Sequence, residues 1–333
     1  MKIAFNLIQC GAGNNGGTRT LFKSAIELKR QGHWVEFWAD MPNMFTWFPL
    51  PETIPFYTSG NPLHDVDVVV ATGTRTVPST ISCKNTSLKA FWIRAIETWQ
   101  PGALEAIKKA HACDVFLMVN SCWMQQYLME NFLIPAWIVY PGLETKFFVP
   151  PEAKLGPVQV GALHSSKPRK RAEDVHWLFS RLKKSYGDRV RRVILTAESH
   201  LHPGNFPCHQ SIHHPSEERK RLMYQNTNIW FAPTDNEGLH VPPMEAGLCG
   251  CALVAHDIPS AGMMDYALPD ETALCYPKYN REAAWSCVEK LIECSSTRAE
   301  LAEALRQRLL THIGSRSRNM KRMVGLFEEV LND

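Results

Sequence analysis

Two carboxylates, Glu237 and Glu245, stand eight positions apart in "APTDNEGLHVPPMEAGLCGCALVAHD", separated by a short loop and by Pro242-Pro243. Proline is tolerated in a first helical turn, so the spacing predicts a helix that starts at these prolines and carries Glu245 near its N-terminus. Ionised carboxylates accept hydrogen bonds from vicinal hydroxyls, and a pair set around such a loop can grip two polyols at once, a ribose and a hexose. The helix N-terminus beside them suits a diphosphate. The plain alternative is two solvated acids at a loop and a helix start, where acids are favoured anyway.

A second constellation opens the chain. "NLIQCGAGNNGGTRT" follows a strand-like run and holds Gly11, Gly13 and Gly16 in the spacing G-x-G-x-x-G. Glycines that open a helix let backbone N–H groups approach any phosphate, so the loop alone does not separate NAD from another nucleotide. Asp40 closes the second strand-like run 24 positions after Gly16, about where an NAD enzyme holds a ribose. An NAD-dependent oxidoreductase therefore stays open. The histidine-rich "ESHLHPGNFPCHQSIHHP" carries His200, His202, Cys208, His209, His213 and His214 in a spacing that fits no standard zinc arrangement, so it reads as a polar loop and no metal is expected.

These loops need rigid elements behind them. Apolar runs ("KIAFNLI", "HWVEFWA", "VDVVVAT", "DVFLMVN", "AWIVYP") alternate with helical patterns such as "RTLFKSAIELKRQG", which ends in Gly32 as a helix stop should. After the proline- and glycine-bearing "YPGLETKFFVPPEAKLGP" the alternation restarts with "VQVGAL", "RVILTAE", "TNIWFAP" and "CALVAHD". Strands alternating with helices predict parallel sheets covered on both faces. The fold class is α/β, with two Rossmann-like halves: 1–150, 151–312 and a closing helix, 313–333, that packs across both. With 333 residues, two domains are the natural division.

Hydrophobic residues at 45% and charged residues at 21% are ordinary globular values. A net charge of +3 is too mild to demand a nucleic-acid partner, although it is compatible with an anionic ligand or peripheral contact with a membrane surface. Ten cysteines without a C-x-x-C pair read as mostly reduced, buried thiols of a cytoplasmic protein. No stretch approaches the roughly 18 apolar residues of a spanning helix, and the opening lacks a secretory signal.

Around the carboxylate pair the chain resembles the retaining GT-B glycosyltransferases of the large nucleotide-sugar-dependent family 4, the glycosyl transferases group 1. The resembling residues are Glu237-Gly238, the gap to Glu245-Ala246, and the following "GLCGCALVAHDIPSAG". Agreement continues through "CDVFLMVNSCWMQQYLM", "VYPGLETKFFVP", "VGALHSSKPRKRAED" and "DETALCYPKYNREA". The resemblance implies that Glu237 contacts the donor sugar and Glu245 the ribose, with backbone amides of Gly238, Leu239 and His240 near sugar and phosphate. It further implies a basic pair that neutralises the diphosphate. Of Lys167, Arg169, Lys170 and Arg171, Lys170 matches best and Arg169 next.

In the same frame Gly16 and Gly17 border the donor diphosphate, with Thr18 and Arg19 starting the helix. Arg19, together with Arg94 and Glu97 in "FWIRAIETWQPG", is then expected to contact the cleft between the halves, while Trp92 and Trp99 read as buried aromatics. The chain departs from the family pattern at Ala162, where an arginine often follows the glycine, at "TAESH", and at Asp265 in "SAGMMD".

The implied reaction is transfer of a hexosyl or pentosyl group from a nucleoside-diphosphate sugar to an acceptor hydroxyl, with retention and without metal or other cofactor. The acceptor class stays open among glycan, lipid-linked glycan, protein, metabolite and hydroxylated DNA base. A non-catalytic nucleotide-sugar or glycan-binding module of the same fold is the further alternative.

Overall fold

The apolar runs become parallel strands because both of their faces are covered. The computed structural model describes residues 1–58, 65–198 and 206–332. It divides into Met1–Gly142 together with the chain from Ser315 onward, and Leu143–Gly314. The division thus falls at Gly142, ahead of the expected 150.

In the first unit, β1 (Lys2–Asn6), β2 (Trp34–Trp38), β3 (Phe56–Tyr57), β4 (Val66–Ala71), β5 (Thr86–Ile93), β6 (Phe116–Val119) and β7 (Trp137–Ile138) form the described sheet, in the order β3-β2-β1-β4-β5-β6-β7. The pairings are parallel. Helices α1 (Gly16–Arg30), α2 (Val77–Ser82), α3 (Ala103–Ala112) and α4 (Cys122–Phe132) connect the strands. Phe5, Phe22, Phe37 and Phe45 are packed ring to ring in the core. Burying each such ring contributes about 1.5–3 kcal/mol. β5 is absent from the runs singled out in the sequence because its first half, Thr86–Lys89, is polar and masks the buried "AFWI" that follows.

In the second unit, β8 (Val158–His164), β9 (Val190–Thr196), β10 (Gln210–His213), β11 (Ile229–Ala232), β12 (Ala252–His256) and β13 (Leu274–Tyr276) form a parallel sheet in the order β10-β9-β8-β11-β12-β13. Its helices are α5 (Ala172–Tyr186), α6 (Glu217–Asn226), α7 (Val241–Leu248), α8 (Arg281–Glu293) and α9 (Ser295–Arg308). Val175, Leu178 and Phe179 of α5 join Trp285 and Val288 of α8 in the core against this sheet.

The final helix, α10 (Arg316–Asn332), sends Met320, Met323, Val324 and Phe327 into the core of the first unit. Arg316 fixes its start, donating to the Pro141 carbonyl at 2.7 Å and to Ser24 Oγ at 3.2 Å. Sequence periodicity marked this helix as a clasp over both halves; the residues that bury it belong to the first.

Both sheets reverse direction once. β1 pairs with β2 on one side and β4 on the other, and β8 pairs likewise with β9 and β11. At such a switch point the loops leaving the two central strands diverge and open a crevice beyond their carboxyl ends. The glycine loop leaves β1, the basic loop leaves β8, and the Glu237 loop leaves β11.

The cysteines correct one expectation. All ten are free, but only Cys83, Cys249 and Cys251 are buried, while Cys10 and Cys113 are exposed. Many of the others sit at helix ends and loops, where a small side chain need not reach the core.

Candidate functional site

The basic loop is shaped by the end of β9. Glu198 accepts from Ser165 Oγ at 2.6 Å and from the Ser166 amide at 2.7 Å, which holds down the start of the loop and keeps the Glu198 carboxyl below its ordinary range. A short turn, Pro168–Lys170, follows, and Arg171 at φ 54° turns the chain into α5. The Asp235 amide donates to the Arg169 carbonyl at 3.1 Å, stitching the loop after β8 to the loop after β11. Burial, with Arg169 and Lys170 as neighbouring cations, lowers the Lys167 ammonium from its usual value.

Glu237 is the meeting point. Its Oε1 lies 2.8 Å from Lys170 Nζ and 3.3 Å from Arg169 Nε, with the three side chains 16%, 13% and 26% exposed. The Glu237 backbone is pinned from two directions. Its amide donates to the Ser260 carbonyl at 2.8 Å, and Gly262, at φ +70°, packs so closely that an added Cβ would lie 2.9 Å from the Glu237 carbonyl oxygen. Only glycine satisfies both the left-handed backbone and that contact. The positions "SAG" in the sequence therefore shape the loop that carries Glu237.

Glu245 is placed otherwise. It lies on α7, which begins at Val241 with both prolines in its first turn, as the spacing predicted. The side chain is 4% exposed and meets Lys220 of α6, Nζ to Oε2 3.1 Å, with Tyr224 Oη at 3.5 Å. Lys220 is shared with Glu217 at 3.1 Å and stands over the Phe148 ring. The two glutamates thus have different cation partners. Sequence reasoning did not single out Lys220, which carries no signal beyond a charged helical run.

His240 closes the loop after β11. Its amide, expected near sugar and phosphate, donates instead to the Gly262 carbonyl at 2.9 Å, and its own carbonyl accepts from Tyr266 Oη at 2.7 Å. The imidazole is 1% exposed with Nδ1 at 3.1 Å from Thr234 Oγ1. Burial, and then Lys170 and Arg169, push it well below its ordinary range, so it is uncharged at neutral pH. Gly238 and Leu239 are buried in the same loop. Asp265 is likewise buried, at 1% exposure.

In the first unit the glycine loop leads into α1 at Gly16. Asn15 caps this helix, its side chain accepting from the Thr18 amide at 2.9 Å. An asparagine just ahead of a helical run is a legible start signal. Arg94 donates to the Gly17 carbonyl and to the Thr72 carbonyl, both at 2.6 Å, and burial lowers its guanidinium to about 10. An added Cβ on Gly17 would approach Arg94 Nη1 at 3.1 Å. Glu97 accepts from Thr74 Oγ1 at 2.6 Å and from its amide at 3.2 Å.

Arg94 and Glu97 therefore sit at the same edge of the first sheet as Gly16 and Gly17, tying down its loops. Arg19 is buried on α1. Trp92 is buried, its Nε1 donating to the Val139 carbonyl at 3.0 Å, but Trp99 is 44% exposed because it lies in the loop ahead of α3, away from the sheet. Asp40 takes the Gln9 amide with both oxygens, at 3.1 and 3.0 Å, and so braces the turn after β1.

The described His209 and His213 of the histidine-rich stretch take separate partners. His209 Nε2 lies 3.1 Å from Asp188 and 3.2 Å from Arg192, whereas His213 meets Ser211 Oγ and the Glu198 carbonyl. His200 and His202 lie outside the described residues. Among the described residues no group of three or more histidine, cysteine or acidic side chains could hold a metal, and no helix is long and apolar enough to cross a membrane.

Residues 156–308, which contain the basic loop, Glu237 and Glu245, match the family model described as "Glycosyl transferases group 1". That segment of the chain is similar to the group 1 glycosyltransferases. The fold likeness extends over both units. Sucrose-phosphate synthase from Thermosynechococcus elongatus is similar with a TM-score of 0.78 at 12% identity, over 100% of this chain and 99% of that one. Anabaena HepE in complex with UDP is similar with a TM-score of 0.75 at 12% identity, over 99% and 100%. The same protein with UDP-glucose gives 0.74 at 12% identity, again over 99% and 100%. No curated protein sequence matches. At these identities the likeness shows the architecture, which is GT-B. Within the matched segment, the cations Lys170 and Arg169 and the carboxylate Glu237 are groups that the fold brings together at the switch point.

Proposed function

We propose that this chain transfers a sugar from a nucleoside-diphosphate sugar to an acceptor hydroxyl with retention at the anomeric carbon, and that it needs no metal to do so. The observation that carries the reading is the convergence of Lys170 and Arg169 on Glu237 within the matched segment. The UDP and UDP-glucose complexes of the similar HepE structures support a donor of this class.

As the bond from the anomeric carbon to the diphosphate oxygen breaks, negative charge grows on the departing phosphate. Lys170 and Arg169 are pre-placed to stabilise it, which is where electrostatic catalysis contributes most. The acceptor oxygen bonds to the same carbon, and its proton passes to the departing phosphate. Glu237 accepts hydrogen bonds from sugar hydroxyls and holds the ring in place. Glu245, with Lys220 behind it, accepts from the ribose. Two cations supply the charge that a divalent ion would otherwise bring.

The test is a panel of UDP-, GDP-, ADP- and CDP-sugars together with NADH, read by thermal shift and by release of free nucleoside diphosphate, with a chelator present and absent. One sugar nucleotide should raise the melting temperature and be consumed at the same rate under chelation, and Lys170→Ala should slow consumption by about 10²–10³-fold. An NADH shift that survives Lys170→Ala, with no sugar nucleotide effective, would overturn the reading.

A further inference from the structure

Lys170 and Arg169 have an internal anion, and its consequences go beyond donor binding. Glu237 Oε1 holds both cations at once, at 2.8 and 3.3 Å, with all three side chains mostly shielded from water. The Glu237 backbone is anchored through its amide to the Ser260 carbonyl and packs closely against Gly262. Only the side chain is at liberty to change partners. We propose that Glu237 competes with the donor's diphosphate for Lys170 and Arg169, so that the site accepts an intact sugar nucleotide and expels the nucleoside diphosphate left after transfer.

This inference rests on the nucleotide-sugar reading of the site. A diphosphate carries more charge than one carboxylate and so takes the two cations. The displaced carboxylate then stands beside the phosphates, a like-charge arrangement that is costly in a shielded site unless hydrogen-bond donors reach it. The sugar of an intact donor brings such donors, its hydroxyls, to the carboxylate. A nucleoside diphosphate lacks that sugar and, with its ribose hydroxyls at Glu245, brings no hydroxyl to Glu237. After transfer the hydroxyls leave with the sugar, and Glu237 regains Lys170 and Arg169 as the diphosphate departs. His240, buried and uncharged beside the two cations, adds no positive charge that would hold the product back.

The proposal inverts the usual expectation for a binding residue: removing the charge of Glu237 should strengthen the binding of one ligand while weakening that of another. Titration calorimetry with UDP, GDP, ADP and CDP on the wild-type chain and on Glu237→Gln reads the first, and initial rates with the matching sugar nucleotides read the second. The expected result is a nucleoside diphosphate that binds Glu237→Gln roughly tenfold more tightly than wild type, with stronger product inhibition and slower transfer. In the Lys170→Met/Arg169→Met background the tightening should vanish, because no cation is left to compete for.

Glu237→Asp, which keeps the charge but shortens its reach, should fall between wild type and Glu237→Gln and serves if the amide variant melts early. Equal or weaker nucleoside-diphosphate binding in Glu237→Gln would overturn this inference while leaving the transferase reading intact. Binding of none of the four nucleotides to either the wild-type chain or Glu237→Gln, with no sugar nucleotide consumed, would overturn both.

Discussion

The loop after β1 and the loop after β8 are both strand-to-helix connections that the sequence marks as suited to an anion, yet they are held together in opposite ways. In the first, Asn15 caps α1, Asp40 braces Gln9, Asn14 and Thr46 bond reciprocally, and Arg94 is bonded to two backbone carbonyls. In the second, Lys170 and Arg169 are gathered by one carboxylate from another loop. Hydrogen bonds to backbone groups fix a loop's shape, whereas a partly exposed ion pair can be exchanged for a ligand's charge. The first loop is a scaffold and the second a seat for charge.

That contrast can be broken most forcefully at Lys170. Lys170→Ala should lower kcat/KM by about 10²–10³-fold, the usual cost of losing one transition-state charge contact, while the melting temperature moves little. Initial-rate and thermal-unfolding measurements on the same preparation check both halves, and a large stability loss would show that Lys170 belongs to the scaffold. The converse variant is Arg94→Ala. Losing two charge-assisted bonds to carbonyls should cost about 3 kcal/mol, read as a shift in the denaturant midpoint.

Gly262→Ala sharpens the comparison from within the second loop. A left-handed alanine pressed against the Glu237 carbonyl should cost about 2 kcal/mol and should slow transfer as well, since it displaces the backbone that aims the carboxylate. Asn15→Ala should cost about 1 kcal/mol and leave the KM for the sugar nucleotide close to wild type, as expected of a cap. Were the KM to rise sharply, Asn15 would be a ligand contact and the first loop more than a scaffold.

The smallest effect is in pH. Burial, foremost in both cases, holds His240 and His256 below their ordinary value of 6.5; Lys170 and Arg169 add to this for His240, while for His256 Arg171 adds and the Thr234 carbonyl, Asp174 and Asp235 oppose. Below pH 6.5 the unfolded chain therefore binds more protons than the folded one, and stability falls as pH drops through that range. Melting curves from pH 7 to pH 5 should show the decline, and His256→Asn should make it shallower.

Much of the fold was legible because its signals are local. The prolines at 242 and 243 announced α7, alternating apolar runs announced most strands, Glu237 was marked by type and neighbours, and Lys170 was singled out only through the family resemblance. What was not legible depends on partners distant in the chain. Nothing near Glu245 announces Lys220, and nothing near Gly17 announces that the arginine holding its carbonyl comes from position 94. Trp99, apolar by composition, is exposed in the loop ahead of α3. The histidine-rich stretch looked like one cluster, but the described His209 and His213 take separate partners.

The sequence by itself determined the α/β class and the residue types able to bind a diphosphate and a polyol, since periodicity and side-chain chemistry are properties of short segments. Tertiary structure alone decided which charge meets which. Parallel strands bring β8 and β11 side by side although some 65 positions separate their loops, and only that adjacency sets Glu237 between Lys170 and Arg169.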